Sequence, residues 1–393
     1  MGLLDLFKGK SINVERDRFG NFTYSFLEQN AFTNSANNLQ QSLTNPVLMA
    51  IISLRCKIYS QMKITHLNAS DKIIENSSIV KLFNQPNYFQ SKEDFFFQQM
   101  WFLSSNGTNL TYAVKPLSEV LSIYNLIPTD IEINDTNKVK SFIYTKDELR
   151  KYGDRKIKYS LDGQQFEIKI KDLIPTYDLA NGLTKNSLMS SPSRIDGIAK
   201  TLQNIEENIL AKNVNLKMTQ KYLMASQGDG NEAQIQEQDR ENIFQKIARK
   251  SLLITNANIK AQHLVSDMKR LYLDEQFSSD ALTCLNAFDM NRDIINYFSN
   301  GASTYENKEK AMLDYVQNSI QSDADNTMNS FASAFGLIDK GEKLKASYDH
   351  LPVMQMVIKT KIDTLQAYIN TLTDYDVKQK LVLIDEFKLK LGL

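Results

Sequence analysis

The stretch NGASTYENKEK, residues 300–310, separates two long helical patterns. Asn300-Gly301 is a helix stop, because glycine takes the left-handed backbone after a last turn without a Cβ clash. Ser303, with Glu306 three residues on, has the pattern of a capping box, in which both side chains satisfy orphan amides at a helix start. One helix therefore ends, a few small residues project, and another helix begins at once.

Both flanks are helical. Upstream, Leu282, Leu285, Phe288, Ile294, Ile295 and Phe298 form an apolar pattern starting near residue 279; downstream, the pattern runs from Thr304 to Phe335 and stops at Gly336. Further upstream, Ser191-Pro192 reads as a helix start, with serine as cap and proline at the first helical position. Ile195, Ile198, Leu202, Ile205 and Ile209 then alternate spacings of three and four, continuing to Leu216 and Leu223, a narrow seam of coiled-coil type. A helix over residues 192–225 would be about 50 Å long at ~1.5 Å per residue. Lys212 and Thr219 interrupt the distal seam, so that end is the more exposed; the seam packs either within one subunit or between subunits. Lys212, Lys217 and Lys221 fall in the last turns and complement the helix dipole, facing solvent or a channel. QGDGN (227–231) ends the helix, and a compact insert follows, with a polar helix over 236–250 and strands over 252–255 and 259–264.

Residues 1–43, rich in Asn, Gln, Ser and Phe, read as a loosely structured arm. Thr44 caps a helix with Pro46 in its first turn, and residues 63–67 form a strand. LFNQPN (82–87) is a helix end followed by a proline turn. Ser91 caps an aromatic helix over 92–104 that buries Phe95, Phe96, Met100, Leu103 and Trp101. From residue 111 to 177 the period shortens to strands: TYAVK, LSIYNLIP, IEIND, SFIYT, KIKYSL and FEIKI. Asp154, Asp162-Gly163 and Pro175 serve as turn residues between them. A strand over 344–348 and helices over 353–373 and 377–390 complete an α+β chain.

At 393 residues the chain exceeds the usual size of a single core. Lys+Arg and Asp+Glu are both 46, so the formal net charge is zero, which argues against a strong static grip on nucleic acid. No apolar run approaches the ~18 to 20 residues of a membrane span. Residues 1–10 carry Asp5 within their apolar stretch and read as a short amphipathic starter, not a secretory signal. Cys56 and Cys284 read as buried thiols, in keeping with a reducing cytoplasm. Gly9-Lys10-Ser11 mimics the end of a phosphate-binding loop, but Leu4 stands where its first glycine belongs. Asp323 and Asp325 could be imagined as a metal pair, yet their Ser/Asn-rich surroundings read as a solvated helix face. His66, His263 and His350 have no neighbours at metal-ligand spacing, and neither a catalytic site nor a cofactor is expected.

Several of these segments, in order, resemble the portal proteins of tailed bacteriophages, in particular the short portals of long-tailed phages. Asn45-Pro46-Val47 resembles the family's early N-P-x-V helix, LFNQPN its L-x-N-x-P-N turn, and residues 95–107 its following aromatic helix and glycine. Leu126-Ile127-Pro128 resembles its L-x-P strand exit, Ser190-Ser191-Pro192 its S-P stem start, and Thr304 to Glu309 its T-Y-x-N-x-E pattern. The V-P-P turn before the loop is absent, and Pro175-Thr176 stands near the place of the family's usual histidine.

The resemblance implies a mixed α/β wing with an N-terminal arm (1–185), a stem (186–225 and 267–298), an α/β clip (226–266), a channel loop (299–305), a long wing helix (306–336) and a C-terminal crown or wing region (337–393). It also implies a dodecameric ring at one capsid vertex, a conduit for double-stranded DNA that docks the terminase large subunit, the head–tail adaptor, the major capsid protein and scaffold. Such a ring assembles in the host cytoplasm and resides in the virion. Ser299, Asn300, Gly301, Ala302, Ser303 and Thr304 would then present small, uncharged groups to DNA. Tyr305 would either plug the helix start, the favoured reading, or stack on a neighbouring loop. Another head–tail connector or baseplate protein is the first alternative, and a metal-dependent DNA-processing enzyme using Asp323 or Asp325 the second.

Overall fold

The computed structural model describes residues 14–16, 22–24, 35–115, 120–132, 153–161, 163–180, 191–218, 222–226, 259–263, 273–295, 304–371, 379, 381–385 and 387. In chain order, the first part comprises β1 (Val14–Arg16), β2 (Phe22–Tyr24), α1 (Ser35–Thr44), α2 (Pro46–Tyr59), β3 (Lys63–Leu67), α3 (Ser78–Asn84) and α4 (Lys92–Asn106). A β-rich part follows, with β4 (Thr108–Val114), β5 (Ser122–Asn125), β6 (Ile131–Glu132), β7 (Lys156–Leu161), β8 (Gln164–Lys169) and β9 (Leu173–Tyr177). Then come α5 (Arg194–Gly197), α6 (Ala199–Met218), β10 (Tyr222–Ser226), β11 (Ile259–His263) and α7 (Leu273–Ala287). The last part comprises α8 (Tyr305–Tyr315), α9 (Gln321–Ala334), β12 (Lys343–Ser347) and α10 (Pro352–Thr371), with a π-helical turn, Val316–Ile320, joining α8 to α9.

The chain forms two compact units. The first comprises Met1–Thr44, Ile52–Asp196 and Ile320–Tyr348; the second comprises Asn45–Ile51, Gly197–Ser319 and Asp349–Leu393.

In the first unit the aromatic helix forms as its sequence dictates. Ser91 Oγ accepts from Asp94 N (3.1 Å) while the Asp94 carboxylate receives the Ser91 amide, completing a capping box. The helix runs to Asn106 and stops at Gly107, which takes φ 73°. Phe95, Phe96, Met100 and Leu103 are buried, and Trp101 Nε1 donates to Ser42 Oγ (3.0 Å). That bond lands on α1, so the arm expected to be loose over 1–43 ends in a packed helix with Asn38 and Ser42 buried. Thr44 closes α1 and does not cap α2. The cap is Asn45, whose Oδ1 accepts the amides of Val47 and Leu48 (3.1 and 3.2 Å).

Among the described residues four antiparallel sheets lie in this unit, in the orders β1-β2, β5-β4-β9, β6-β7-β8 and β12-β3. Pro175, read as a turn residue, lies within β9 opposite Leu110. Among the described strands β9 pairs with β4 alone, so proline's missing amide breaks no described ladder. Leu110, Leu126, Ile131, Ile157, Ile168 and Leu173 form one buried cluster. Phe83, Phe96 and Phe331 anchor another, with Phe83 centroids 5.8 and 5.0 Å from the other two rings. The strand expected at SFIYT lies outside the described residues.

In the second unit α6 and α7 pack together. The single helix expected over 192–225 is shorter and begins later. Ser193, not Ser191, supplies the cap, its Oγ accepting Ile195 N (3.0 Å). Tyr222–Ser226 is a strand that pairs antiparallel with Ile259–His263. Leu223 therefore belongs to a strand and not to the apolar seam. Leu202 and Ile205 are fully buried, Ile209 is half-buried and Leu210 is exposed, so the seam fades distally. α7 starts before residue 279 and stops well short of Phe298. Asp289 takes a left-handed backbone (φ 55°), and Met290 N returns to Leu285 O (3.0 Å), a Schellman closure built without glycine.

Candidate functional site

Of the loop residues singled out in the sequence, Ser299, Asn300, Gly301, Ala302 and Ser303 lie outside the described residues, and Thr304 and Tyr305 lie within them. The loop's two flanks are packed on each other: the short 3-10 turn Arg292–Ile294 lies against α8. The following helix is capped by Thr304 and not by Ser303. Thr304 has extended backbone, and its Oγ1 accepts from Asn307 N (3.3 Å). Glu306 does not close a box; its carboxylate pairs with Lys310 Nζ (2.6 Å) one turn on. Lys310 holds the Glu306 carboxyl below its usual pKa. Tyr305, read as a plug for the helix start, is 79% exposed. The cap displaces the first helical side chain outward, leaving its ring in solvent.

The lysines of the α6 region separate. Lys212 Nζ pairs with Asp274 Oδ1 (2.5 Å) and lies 5.2 Å from the Phe277 ring centroid, so its charge is already committed to α7. Lys217 lies in the last turn of α6. Lys221 lies outside the described residues, beyond the end of that helix. The α6–α7 junction is tied by Asn208, whose Nδ2 donates to Leu273 O (2.8 Å).

The proposed metal pair does not exist as a pair. Asp325 is exposed, whereas Asp323 is buried, contrary to the solvated face expected of both. Arg55 donates to Asp323 Oδ2 (2.7 Å) and to Asp178 Oδ1 (2.8 Å), and Arg194 Nε donates to Asp178 Oδ2 (2.6 Å). Burial raises the Asp323 pKa, and the Arg55 guanidinium opposes the rise. The arrangement ties α2, α9 and the segment around residues 178–194 within the first unit; it balances two acids with two bases and presents no open coordination position. Among the described residues, no three His, Cys, Asp or Glu side chains gather as a metal set. The sequence carried one signal of this cluster: Arg55 interrupts the otherwise apolar face of α2.

A second junction was not foreseen. Gly107 ends α4 directly beneath Pro192: a Cβ there would lie 2.3 Å from the Pro192 carbonyl oxygen. Ser191 N donates to Thr108 Oγ1 (2.8 Å), and Ser193 Oγ donates to Ser105 O (2.7 Å). The Ser-Pro segment that leads into α5 is thus seated on the C-terminus of the aromatic helix.

In chain order, a β-rich unit leads through a Ser-Pro segment into the helix pair α6 and α7. No protein-family model matches the chain, and no curated protein matches it in sequence. Solved structures do. A chain in the neck of an empty gene transfer agent particle computed with C6 symmetry superposes with TM-score 0.64 at 15% identity, covering 90% of this chain and 93% of that one. A chain in the neck of the native particle, computed with C12 symmetry, gives 0.63 at 14%, covering 89% and 93%. An HK97-family phage portal protein from Corynebacterium diphtheriae gives 0.51 at 11%, covering 80% and 97%. The chain shares their α+β fold.

Proposed function

We propose that this chain is the protomer of a portal: a ring at one capsid vertex through which double-stranded DNA is packaged and ejected. The observation that carries the reading is the match over 90% of the chain to a particle-neck chain, in a particle whose native neck was computed with C12 symmetry. The ring is then a dodecamer.

In this reading residues 1–185 and 306–336 form the wing, 186–225 and 267–298 the stem, 226–266 the clip, and 337–393 a crown or further wing region. α6 and α7 supply the stem, with the β10–β11 ladder at the base of the clip. Residues 299–305 line the channel. The small uncharged side chains of residues 299–304 can touch phosphate or its hydration water without an ionic trap, and zero net charge avoids a surplus multiplied around the ring. With its ring exposed, Tyr305 supports stacking on a neighbouring loop. Lys217 and Lys221 are the lysines left to face the channel, since Lys212 is paired. The ring docks the terminase large subunit, head–tail adaptor, major capsid protein and scaffold, assembles in the host cytoplasm and resides in the virion without catalytic chemistry of its own.

Symmetry-free image averages of the purified full chain test the assembly. Closed rings with twelvefold symmetry are expected; monomers or dimers alone, under conditions that permit assembly, overturn the reading.

A further inference from the structure

A rigid aromatic knob projects from the first unit. Tyr88 and Phe89 are 87% and 83% exposed, and their rings meet edge to face with centroids 5.3 Å apart. The loop beneath them is firmly built. Asn87 is buried, and its Oδ1 accepts the amides of Phe89 and Gln90 (3.0 Å each) while its Nδ2 donates to Ile123 O (3.0 Å). Ile123 N donates in return to Pro86 O (2.9 Å), pinning the loop to β5. Two large rings held in water on an ordered loop are costly to leave uncovered, and pre-organised aromatics are what interface anchors are made of.

The same unit carries a groove of about 250 Å³ whose lining includes Ile64, His66, Ile73, Ile74, Ser77 and Val80. Four of its nine lining residues are aliphatic, with Ile73 65% exposed, and Thr65 and Asn76 also line it. Its polar floor is already paired: His66 Nδ1 lies 2.8 Å from Ser77 Oγ, and Nε2 lies 3.1 Å from Glu342 Oε2. An apolar guest therefore displaces no needed hydrogen bond. Lys81 also lines the groove and offers a cation to an aromatic face. Groove and knob flank α3: Val80 and Lys81 lie within the helix, and the knob follows its C-terminal end.

We propose that Tyr88 and Phe89 of one protomer insert into the Ile64–Ile73–Val80 groove of the next copy of this chain. Each protomer then offers one knob and, from other residues of the same unit, one groove. Such a heterologous contact propagates from copy to copy and closes as a ring when the rotation permits. Two aromatics bury roughly 300–500 Å² at each junction. That is below the roughly 800 Å² per partner of a stable pair, so the contact does not dimerise the chain by itself but anchors a larger ring interface. This inference rests on the ring reading given above.

Cross-linking between single-cysteine variants tests it. Cys56 and Cys284 are buried, and burial pushes both thiols upward in pKa, Cys284 to about 12, so added surface cysteines react selectively. Full-length F89C chains mixed with I73C chains and treated with a short bismaleimide should give covalent dimers in the ring fraction, and neither variant alone should. The Y88S/F89S double variant should raise the concentration for half-assembly at least about tenfold, as loss of an interface anchor does; I73D should do the same. Both sites are exposed, and an unchanged thermal unfolding midpoint would show that the fold survives. Rings that form without the mixed cross-link, or double variants that assemble at the wild-type concentration, would overturn the knob-in-groove contact while leaving the portal reading intact. Wild-type chains that never form rings would overturn both.

Discussion

Arg55 shows how much a single residue can decide. Its guanidinium is fully buried and bridges Asp178 and Asp323, with Arg194 completing the balance. Arg55→Ala leaves Asp178 with Arg194 but takes the buried ion-pair partner from Asp323, and should lower stability by about 3–5 kcal/mol, read by urea unfolding. The direction of its pH dependence follows from Asp323. Because the folded pKa is raised above the ordinary 3.8, the acid's own contribution to stability is complete below that value and is lost as pH rises through the raised one. Removing Arg55 raises it further, so the deficit of R55A should shrink as pH falls toward 4; a deficit that grows toward acid would contradict this. Gly107 decides just as sharply. Gly107→Ala imposes the ~1–3 kcal/mol strain of a left-handed non-glycine. It also places a methyl group 2.3 Å from the Pro192 carbonyl, so the loss should exceed that range and show as a lowered denaturation midpoint. The sequence reading ended the aromatic helix at residue 104 and gave Gly107 only within the family resemblance; the fold shows that Gly107 closes the helix and meets Pro192.

At the scale of elements, local chemistry was legible wherever a side chain acts on its own backbone. Ser91 caps α4 as its pattern says, and the LFNQPN stretch is a helix end and a proline turn because both depend on near neighbours. Ser303 and Thr304 show where such reading slips. Both residue types are good caps, and in the fold Thr304 is the one whose side chain accepts an amide, that of Asn307. Thr304→Ala should therefore cost about 1 kcal/mol in thermal or urea unfolding, whereas Ser303→Ala should cost little. Equal losses would return the cap to Ser303. The α7 terminus was hidden for a related reason: Asp289 supplies a left-handed turn that sequence reading assigns by default to glycine. The end of α6 was missed because Tyr222–Ser226 becomes a strand only by pairing with Ile259–His263, a partner distant in sequence.

For the whole molecule, the decisive test concerns the loop that α7 and α8 flank. On the portal reading, replacing residues 299–303 with lysines should leave rings intact but impair DNA packaging or retention by adding an ionic trap at every protomer. Unchanged packaging would remove the loop from the mechanism. The order of segments was readable because apolar periodicity, glycine and proline punctuation, and balanced charge are local or additive properties. By itself the sequence determined that this is an α+β chain with an aromatic helix, a β-rich region and a loop between two helices. Tertiary structure alone decided which charges are buried, which turn residue is a strand, and where Tyr88 and Phe89 are held in solvent. Those outcomes depend on contacts between residues far apart in the chain, such as Arg55 with Asp323 and Asn87 with Ile123, whose desolvation and hydrogen bonding exist only once the fold has brought them together.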